Sequence, residues 1–464
     1  MMCHPRSRKF HTACVNILTK LLYYTGLLPH TDSKRTLLYS FRTGVVIGAA
    51  FIALTFEVIS NVQNLINFSR QKNGAKVVQV VYAAKYVIRV TVTFIVIVVF
   101  SRSSRGLQRV SDELGGVPKD QHAFAFSEQS SKSIWLPFIT LLTFVVYYLS
   151  HCVTRVYTML INETTYAEFP GGILTAAQED VVVLVTRNST EAVRVLCAGY
   201  LGHLLITFAN KQVREAETIL RTEMGDSENP EVLETVLRSA WVTRERTLGI
   251  SRIIERELQL LLTVVLVADI LSIASCVGEV LAPENVFKSV RLLTYMLLYV
   301  VSSVNIFTGL IKITDKDQST YVALQEVQSR IALISDSQPP TKKPGGLVGV
   351  SIISAQQLLK DCTFGQFHSN SRPSTSSKTD IRSLLEDLQI FSFSCFGPRK
   401  ISPELRAFGH VNETTIIKII GVFIALFAFL FEQNDQPVLS HVSPNGFFSS
   451  AVSLNSFTNT TMRD

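Results

Sequence analysis

Apolar residues in this chain gather into seven stretches, separated by segments in which polar and charged residues dominate. A bilayer core about 30 Å thick takes roughly 20 mostly apolar residues per helix, because lipid satisfies no exposed backbone group. The stretches run from Arg42 to Ser60, Lys76 to Phe100, Ile134 to Tyr157, Ala192 to Asn210, Leu258 to Leu281, Val286 to Ile313 and Thr415 to Phe431. The pattern predicts an all-α, polytopic membrane protein with seven transmembrane helices. Residues 1–41 precede the first helix, 42–313 hold the first six, 314–414 form a long loop, 415–431 form the seventh helix, and 432–464 form a tail.

Two polar segments keep a helical period. VREAETILRTEM and PEVLETVLRSAWVTRERTLGISRIIEREL repeat apolar residues at three and four, and the turn-forming GDSENP parts them. Residues 211–257 are therefore expected to extend the fourth and fifth helices beyond the membrane, and STYVALQEVQSRIALIS to extend the sixth. SQPPTKKPGG and SNSRPSTSSKTD, rich in Pro, Ser and Lys, lose the period and read as flexible insertions.

Charge supplies an orientation. Arg6, Arg8, Lys9, Lys20, Lys34 and Arg35 precede the first helix, and Arg102, Arg105, Arg109, Lys119 and Lys132 follow the second. The intervening segments and the tail are poorer in Lys and Arg, so the positive-inside bias predicts a cytosolic amino terminus and, after seven crossings, a carboxyl terminus outside. Sequons agree: Asn67, Asn162, Asn188 and Asn459 fall on expected outer segments, where they could be glycosylated, and Asn412 falls inside. The net charge of +7 suits an anionic lipid surface, and no nucleic-acid partner is expected. The seven cysteines suggest no outer disulfide framework. The basic start lacks the pattern of a cleavable signal peptide.

Ionisable residues within a span usually face the bundle interior. Tyr82, Lys85, Arg89 and Thr93 share one face of the second helix, and Thr140, Thr143, Tyr147, His151 and Arg155 one face of the third. Asp269, Ser272, Cys276 and Glu279 do so on the fifth, and Arg291, Tyr295, Tyr299 and Ser302 on the sixth. Converging polar and aromatic stripes in an apolar bundle are the material of a small-molecule pocket, so Lys85, Arg89, Tyr147, His151, Arg155, Asp269, Glu279, Arg291, Tyr295 and Tyr299 are the candidate ligand-binding residues. The same stripes also serve as packing adhesive between helices. Arg89 and Asp269 lie at similar depth and are expected to pair, with Lys85 as the alternative partner.

HExxH, GxSxG, GxxxxGK[ST] and paired CxxC motifs are absent, so no enzyme, metal or cofactor is expected. A G-protein-coupled receptor has the same helix count with the opposite orientation, but here the third helix ends HCVTRVY and the seventh contains no Pro. A transporter would use Lys85, Arg89 and Asp269 as a relay, with broken or repeated helices that the sequence does not display.

The stretch ELRAFGHVNETTIIKIIGVFIALFAFLFEQN resembles the signature region of arthropod gustatory receptors, whose last helix ends in Thr-Tyr, five apolar residues and Gln-Phe. Ala407 and Gly409 suit the turn before that helix, Phe427 occupies the Tyr position and Gln433 keeps the Gln. Leu426 stands for Thr, Glu432 interrupts the apolar five and Asn434 stands for Phe. LLYYTGLLPHTDSKRTLLYSFRT is similar to the family's lead-in to its first helix. The resemblance implies a plasma-membrane receptor that is a ligand-gated, non-selective cation channel, assembled as a homo- or hetero-tetramer and opened by a small-molecule tastant bound in the outer half of the bundle. It also implies a pore lined by the last helix, with Phe427 and Phe431 near its narrow region, Gln433 at its outer end, and Glu432 and Asp435 at its mouth.

Overall fold

In the computed structural model, residues 5–28, 36–69, 77–115, 135–161, 176–222, 230–280, 286–337 and most of 401–428 are described. The chain is an all-α membrane protein. Its helices are α1 (Pro5–Tyr24), α2 (Thr36–Ser69), α3 (Val77–Arg102), α4 (Ser104–Gly115), α5 (Leu136–Ile161), α6 (Ala176–Val183), α7 (Ser189–Phe208), α8 (Arg214–Thr222), α9 (Pro230–Val280) and α10 (Val286–Ser337). Two π-helical turns, Leu184–Asn188 and Ala209–Val213, join α6 to α7 and α7 to α8. A two-residue antiparallel ladder, β1 (Glu404–Leu405) with β2 (Gly409–His410), precedes the last helix.

Among the described residues, five helices are long and apolar enough to cross a membrane, or six if the pair α3 and α4, bent by 57°, counts as one span. The seventh apolar stretch is helical wherever it is described between 414 and 428. Asn412 caps that helix: its side-chain oxygen accepts the Thr415 amide at 2.9 Å, and its own amide donates to the Thr415 hydroxyl at 3.3 Å. The sequon at Asn412 is thus also a helix start.

Burial sorts the spans into centre and rim. In the membrane-length part of the fourth span 89% of residues are buried, against 17% for α2 and 28% for α5. α2 exposes Val45, Phe51, Ile52, Val58 and Ile59, and α5 exposes Ile139, Leu142, Val145, Val146, Leu149 and Val153. So large an apolar surface fits a hydrocarbon surrounding, not water.

α7 packs most extensively against α10, with α5 on another side, and α9 lies against α3 and α10. Backbone approach sets the α7–α10 contact. A Cβ on Gly202 would stand 2.6 Å from the Asn305 carbonyl oxygen, and one on Gly309 2.6 Å from Leu205 Cβ. Small residues permit such close crossings where lipid provides no hydrophobic drive for helix association.

α9 and α10 have 51 and 52 residues. At 1.5 Å per residue each reaches about 75 Å, more than twice the hydrocarbon core. Their far halves form a second apolar cluster with Leu220 of α8, made of Leu233, Val236, Leu237 and Ala240 from α9 and Ala323, Leu324, Val327 and Ile331 from α10.

The fourth span differs from its expected form. The helical run begins at Ala176, not at Ala192, and places Asn188 in the first π-turn, fully buried. A glycan on its carboxamide has no room in the folded bundle, which corrects the expectation that Asn188 lies on an outer loop. Asn67 lies near the end of α2, and Asn162 and Asn459 lie outside the described residues.

Candidate functional site

Buried polar and aromatic side chains of α2, α3, α5, α7, α9, α10 and the first π-turn meet around Tyr295 and Tyr299. The Tyr295 ring lies 5.4 Å from Tyr147 in an edge-on contact, 4.7 Å from His151 and 6.4 Å from Tyr299, nearly parallel to the last. The Arg89 guanidinium sits over the Tyr295 ring, 4.3 Å from its centroid, and that of Arg194 lies 4.9 Å from the Tyr299 centroid. Desolvated cation–π contacts of this kind are worth up to about 2 kcal/mol or more. The Tyr295 hydroxyl donates to Asn188 Oδ1 at 3.3 Å and is met by Arg187 Nη2 at 3.4 Å. α3, α5, α10 and the first π-turn thus contribute to one cluster.

Charge in the cluster balances. Arg89, Arg187 and Arg194 are buried with Glu57, Glu191 and Asp269. Arg187 pairs with Glu57, and Arg194 with Asp269. The other Asp269 oxygen accepts from Ser302 at 2.5 Å and Ser303 at 3.3 Å, while Arg194 Nη1 donates to Ser272 at 3.0 Å and Thr93 at 3.3 Å. Glu191 accepts the Tyr147 hydroxyl at 2.8 Å and acts electrostatically on Arg89. Each charge loses water on burial, and only paired charges with further hydrogen bonds recover that cost.

The expected Arg89–Asp269 pair is not formed. Asp269 faces Arg194, and Arg89 instead donates to Cys276 Sγ at 3.6 Å and lies over Tyr295. Depth along a helix axis was a poor guide to the partner, because rotation about that axis selects which side chains meet.

Of the candidate ligand residues, the structure brings together Arg89, Tyr147, His151, Asp269, Tyr295 and Tyr299. Lys85, Arg155, Glu279 and Arg291 fall on α3, α5, α9 and α10 respectively. Phe427, Phe431, Glu432, Gln433 and Asp435 lie outside the described residues.

Sequence reasoning missed Glu57, Arg187, Asn188, Glu191 and Arg194 as interior residues. For all but Glu57 the signal was present in TRNSTEAVR, which sets Arg187, Glu191 and Arg194 four and three residues apart on one helical face. The π-turn at Leu184–Asn188 re-aims Arg187 and Asn188 inward, a use of π-bulges common at functional sites.

Among the described residues, the Tyr299 hydroxyl, the Asn188 amide nitrogen and Arg194 Nε are buried in the cluster without a hydrogen-bond partner. An aromatic wall, guanidinium groups held in balance, and spare hydrogen-bonding atoms suit an uncharged organic molecule better than an ion. A separate cleft of about 220 Å³, lined by Leu220, Arg221, Ala323, Glu326, Val327 and Arg330, lies between α8 and α10. Glu326 is about 45 Å from Tyr295 along α10 at helical rise, so the cleft is a different place.

A second set of contacts fixes the approach to the last helix. Ser251 of α9 donates to the Ile401 carbonyl at 2.5 Å, and the Ile401 amide donates to Asp317 of α10 at 3.3 Å. Asp317 also pairs with Arg244 at 2.5 Å. Gln259 donates to the Glu404 carbonyl at 2.7 Å, and Thr314 to that of Val411 at 3.2 Å. The segment before the last helix is thereby tied to both long helices.

No family model matches the sequence, and no curated protein matches it significantly. Solved structures do match in fold. The insect olfactory receptor OR5 from Machilis hrabei in complex with eugenol superposes with a TM-score of 0.57 at 12% identity, covering 92% of this chain and 98% of the receptor. A second structure of the same receptor gives a TM-score of 0.54 at 12% identity, with the same coverage. At this identity the likeness establishes a shared fold over nearly the whole length of both chains.

Proposed function

We propose that this protein is a chemosensory receptor of the gustatory kind, a ligand-gated, non-selective cation channel of the plasma membrane opened by a small uncharged tastant. The observation that carries the reading is the buried cluster around Tyr295, with three guanidinium groups balanced by three carboxylates and an aromatic wall. The fold shared with a receptor solved in complex with eugenol supports it, as does the resemblance of the last helix to the gustatory signature. The ligand enters among Arg89, Tyr147, His151, Tyr295 and Tyr299. An amine or an acid would upset a charge balance that an uncharged molecule leaves intact.

The chain spans the membrane seven times with its amino terminus in the cytosol, and four copies place their last helices around a pore. Phe427 and Phe431 narrow that pore, Gln433 stands at its outer end, and Glu432 and Asp435 ring its mouth, where carboxylates concentrate cations. The contacts tying Ile401, Glu404 and Val411 to α9 and α10 are the route by which movement in the bundle reaches the last helix. Recording currents from Glu432→Gln and Glu432→Lys at matched surface expression tests the pore. A graded loss of cation permeability, larger for Lys, is expected; unchanged conductance and selectivity in both removes Glu432 from the mouth.

A further inference from the structure

α1 has two faces. His11, Cys14, Leu18 and Leu22 are buried against the bundle, while Phe10, Ala13, Ile17, Lys20 and Tyr24, at alternating three and four spacing, are exposed. The large members of this outer stripe, Phe10, Ile17 and Tyr24, are 42%, 50% and 63% exposed. On a water-facing helix three large apolar or aromatic residues in register would be unfavourable. α1 is not among the helices long and apolar enough to cross a membrane.

Its two ends locate it. Near the first, Phe10 packs 6.2 Å from Trp135 and 5.3 Å from Phe138, at the start of α5, whose lipid-facing surface begins with Ile139. At the second, the Arg42 guanidinium lies 5.6 Å from the Tyr23 ring and 5.8 Å from that of Tyr24, where the first span begins near Leu38. The turn at Gly26 seals this end. Its φ of +72° suits glycine, and a Cβ there would stand 2.6 Å from both Arg42 Cβ and the Thr43 nitrogen. α1 therefore connects the starts of two spans and continues their lipid-facing surface at one level. A helix that joins two points at the same membrane depth lies along the bilayer plane.

The charge matches such a position. Arg6, Arg8 and Lys9 occupy the first turns of α1, Lys20 lies on the outer stripe, Lys34 and Arg35 follow, and residues 1–31 contain no Asp or Glu. Basic residues on an amphipathic helix with Trp and Tyr nearby are the composition of a segment held at an anionic interface.

We propose that α1 is an interfacial anchor, with Phe10, Ile17 and Tyr24 bedded at the acyl boundary of the membrane the bundle crosses and its basic residues bound to anionic lipid headgroups. This surface is distinct from the Tyr295 cluster and does not depend on the receptor reading.

The chain has two tryptophans, Trp135 and Trp241. Replacing both with Phe and introducing Ile17→Trp gives the full chain one fluorophore on the outer stripe; the same background with Leu149→Trp, on the exposed face of α5, is the positive control. Each is reconstituted in phosphatidylcholine vesicles with or without phosphatidylserine, using lipids brominated near the glycerol end of the acyl chain. The expected result is loss of Ile17→Trp emission to bromolipid, protection from aqueous iodide, and deeper quenching with phosphatidylserine. Changing Arg6, Arg8 and Lys9 to Gln should abolish the phosphatidylserine effect. Quenching by iodide alone would put the stripe in water. Quenching by neither, with Leu149→Trp responding to bromolipid, would put it under protein, such as a second copy. Either result overturns the proposal, and equal quenching in both lipids overturns its anionic part.

Discussion

Removing Asp269 is the most informative single perturbation, because the structure assigns it one counter-ion. Asp269→Leu deletes the pair with Arg194 and the bonds from Ser302 and Ser303, and leaves a fully buried guanidinium with only Ser272 and Thr93 as hydrogen-bond acceptors. Breaking a buried pair from one side costs about 3–5 kcal/mol in soluble proteins. In a membrane the unfolded helices also find polar partners, so about 3 kcal/mol is the fitting figure here. Adding Arg194→Met removes the stranded charge, keeps the cluster neutral at two Arg and two carboxylates, and replaces the pair with groups of similar volume. Such exchanges are often neutral within about 1 kcal/mol. Ser302 and Ser303 can turn back to helix carbonyls, which limits the residual cost. Combining Asp269→Leu with Arg89→Met does not relieve Arg194 and should remain as damaging as the single change. The assay is the thermal midpoint of detergent-solubilised protein by fluorescence-detected size exclusion. The rank order at one heating protocol is read, not a free energy, since large proteins commonly unfold irreversibly. The expected order is wild type close to Arg194→Met/Asp269→Leu, both well above Asp269→Leu and Arg89→Met/Asp269→Leu. Rescue by Arg89→Met, or none by Arg194→Met, refutes the pairing.

Gly202→Ala should destabilise the α7–α10 contact by about 1–3 kcal/mol, the usual cost of overpacking, whereas Gly249→Ala in α9, where nothing lies within 4 Å of the added carbon, should stabilise by about 0.5–1 kcal/mol. The same melting assay reads both. Asp317→Ala removes the acceptor of the Ile401 amide and the partner of Arg244, so deuterium uptake at residues 401–405 should rise while uptake in α5 stays unchanged. Mobility on gels after glycosidase treatment should shift for chains retaining Asn162 or Asn459 and should not change with Asn188→Gln, since that side chain is buried.

Period carried most of the sequence reading. Arg89 with Thr93, Tyr147 with His151, Asp269 with Ser272 and Cys276, and Tyr295 with Tyr299 and Ser302 were placed on shared faces by spacing of three and four, and each set is buried in the bundle. A helix in lipid has one inward face, and ionisable residues must take it. The fourth span was shortened for the same physical reason. Arg187 and Glu191 lower local hydropathy, so a search for apolar residues ends at Ala192, yet those charges are affordable because Glu57 and Tyr147 on other helices meet them. Pairing between helices depends on rotation and tilt, which one sequence does not encode locally. The π-turns were equally hidden, since LVTRN and ANKQV carry no Pro or Gly to mark them. The bend between α3 and α4 falls at Ser103, where the apolar run gives way to SRSSR.

The central claim is that a small uncharged molecule bound at Tyr295 opens a cation conductance. Whole-cell currents should be recorded from surface-labelled cells, expressing the chain alone and with related receptor subunits, against eugenol, sugars, bitter compounds and amines. The account predicts that at least one uncharged compound evokes a current reversing near zero with equal cation concentrations on both sides. Tyr295→Ala should raise the concentration needed by about tenfold or more without moving the reversal potential, reflecting loss of the aromatic wall and its cation–π contact. Surface-expressed protein silent to every compound in both settings, or a response untouched by Tyr295→Ala, would contradict it.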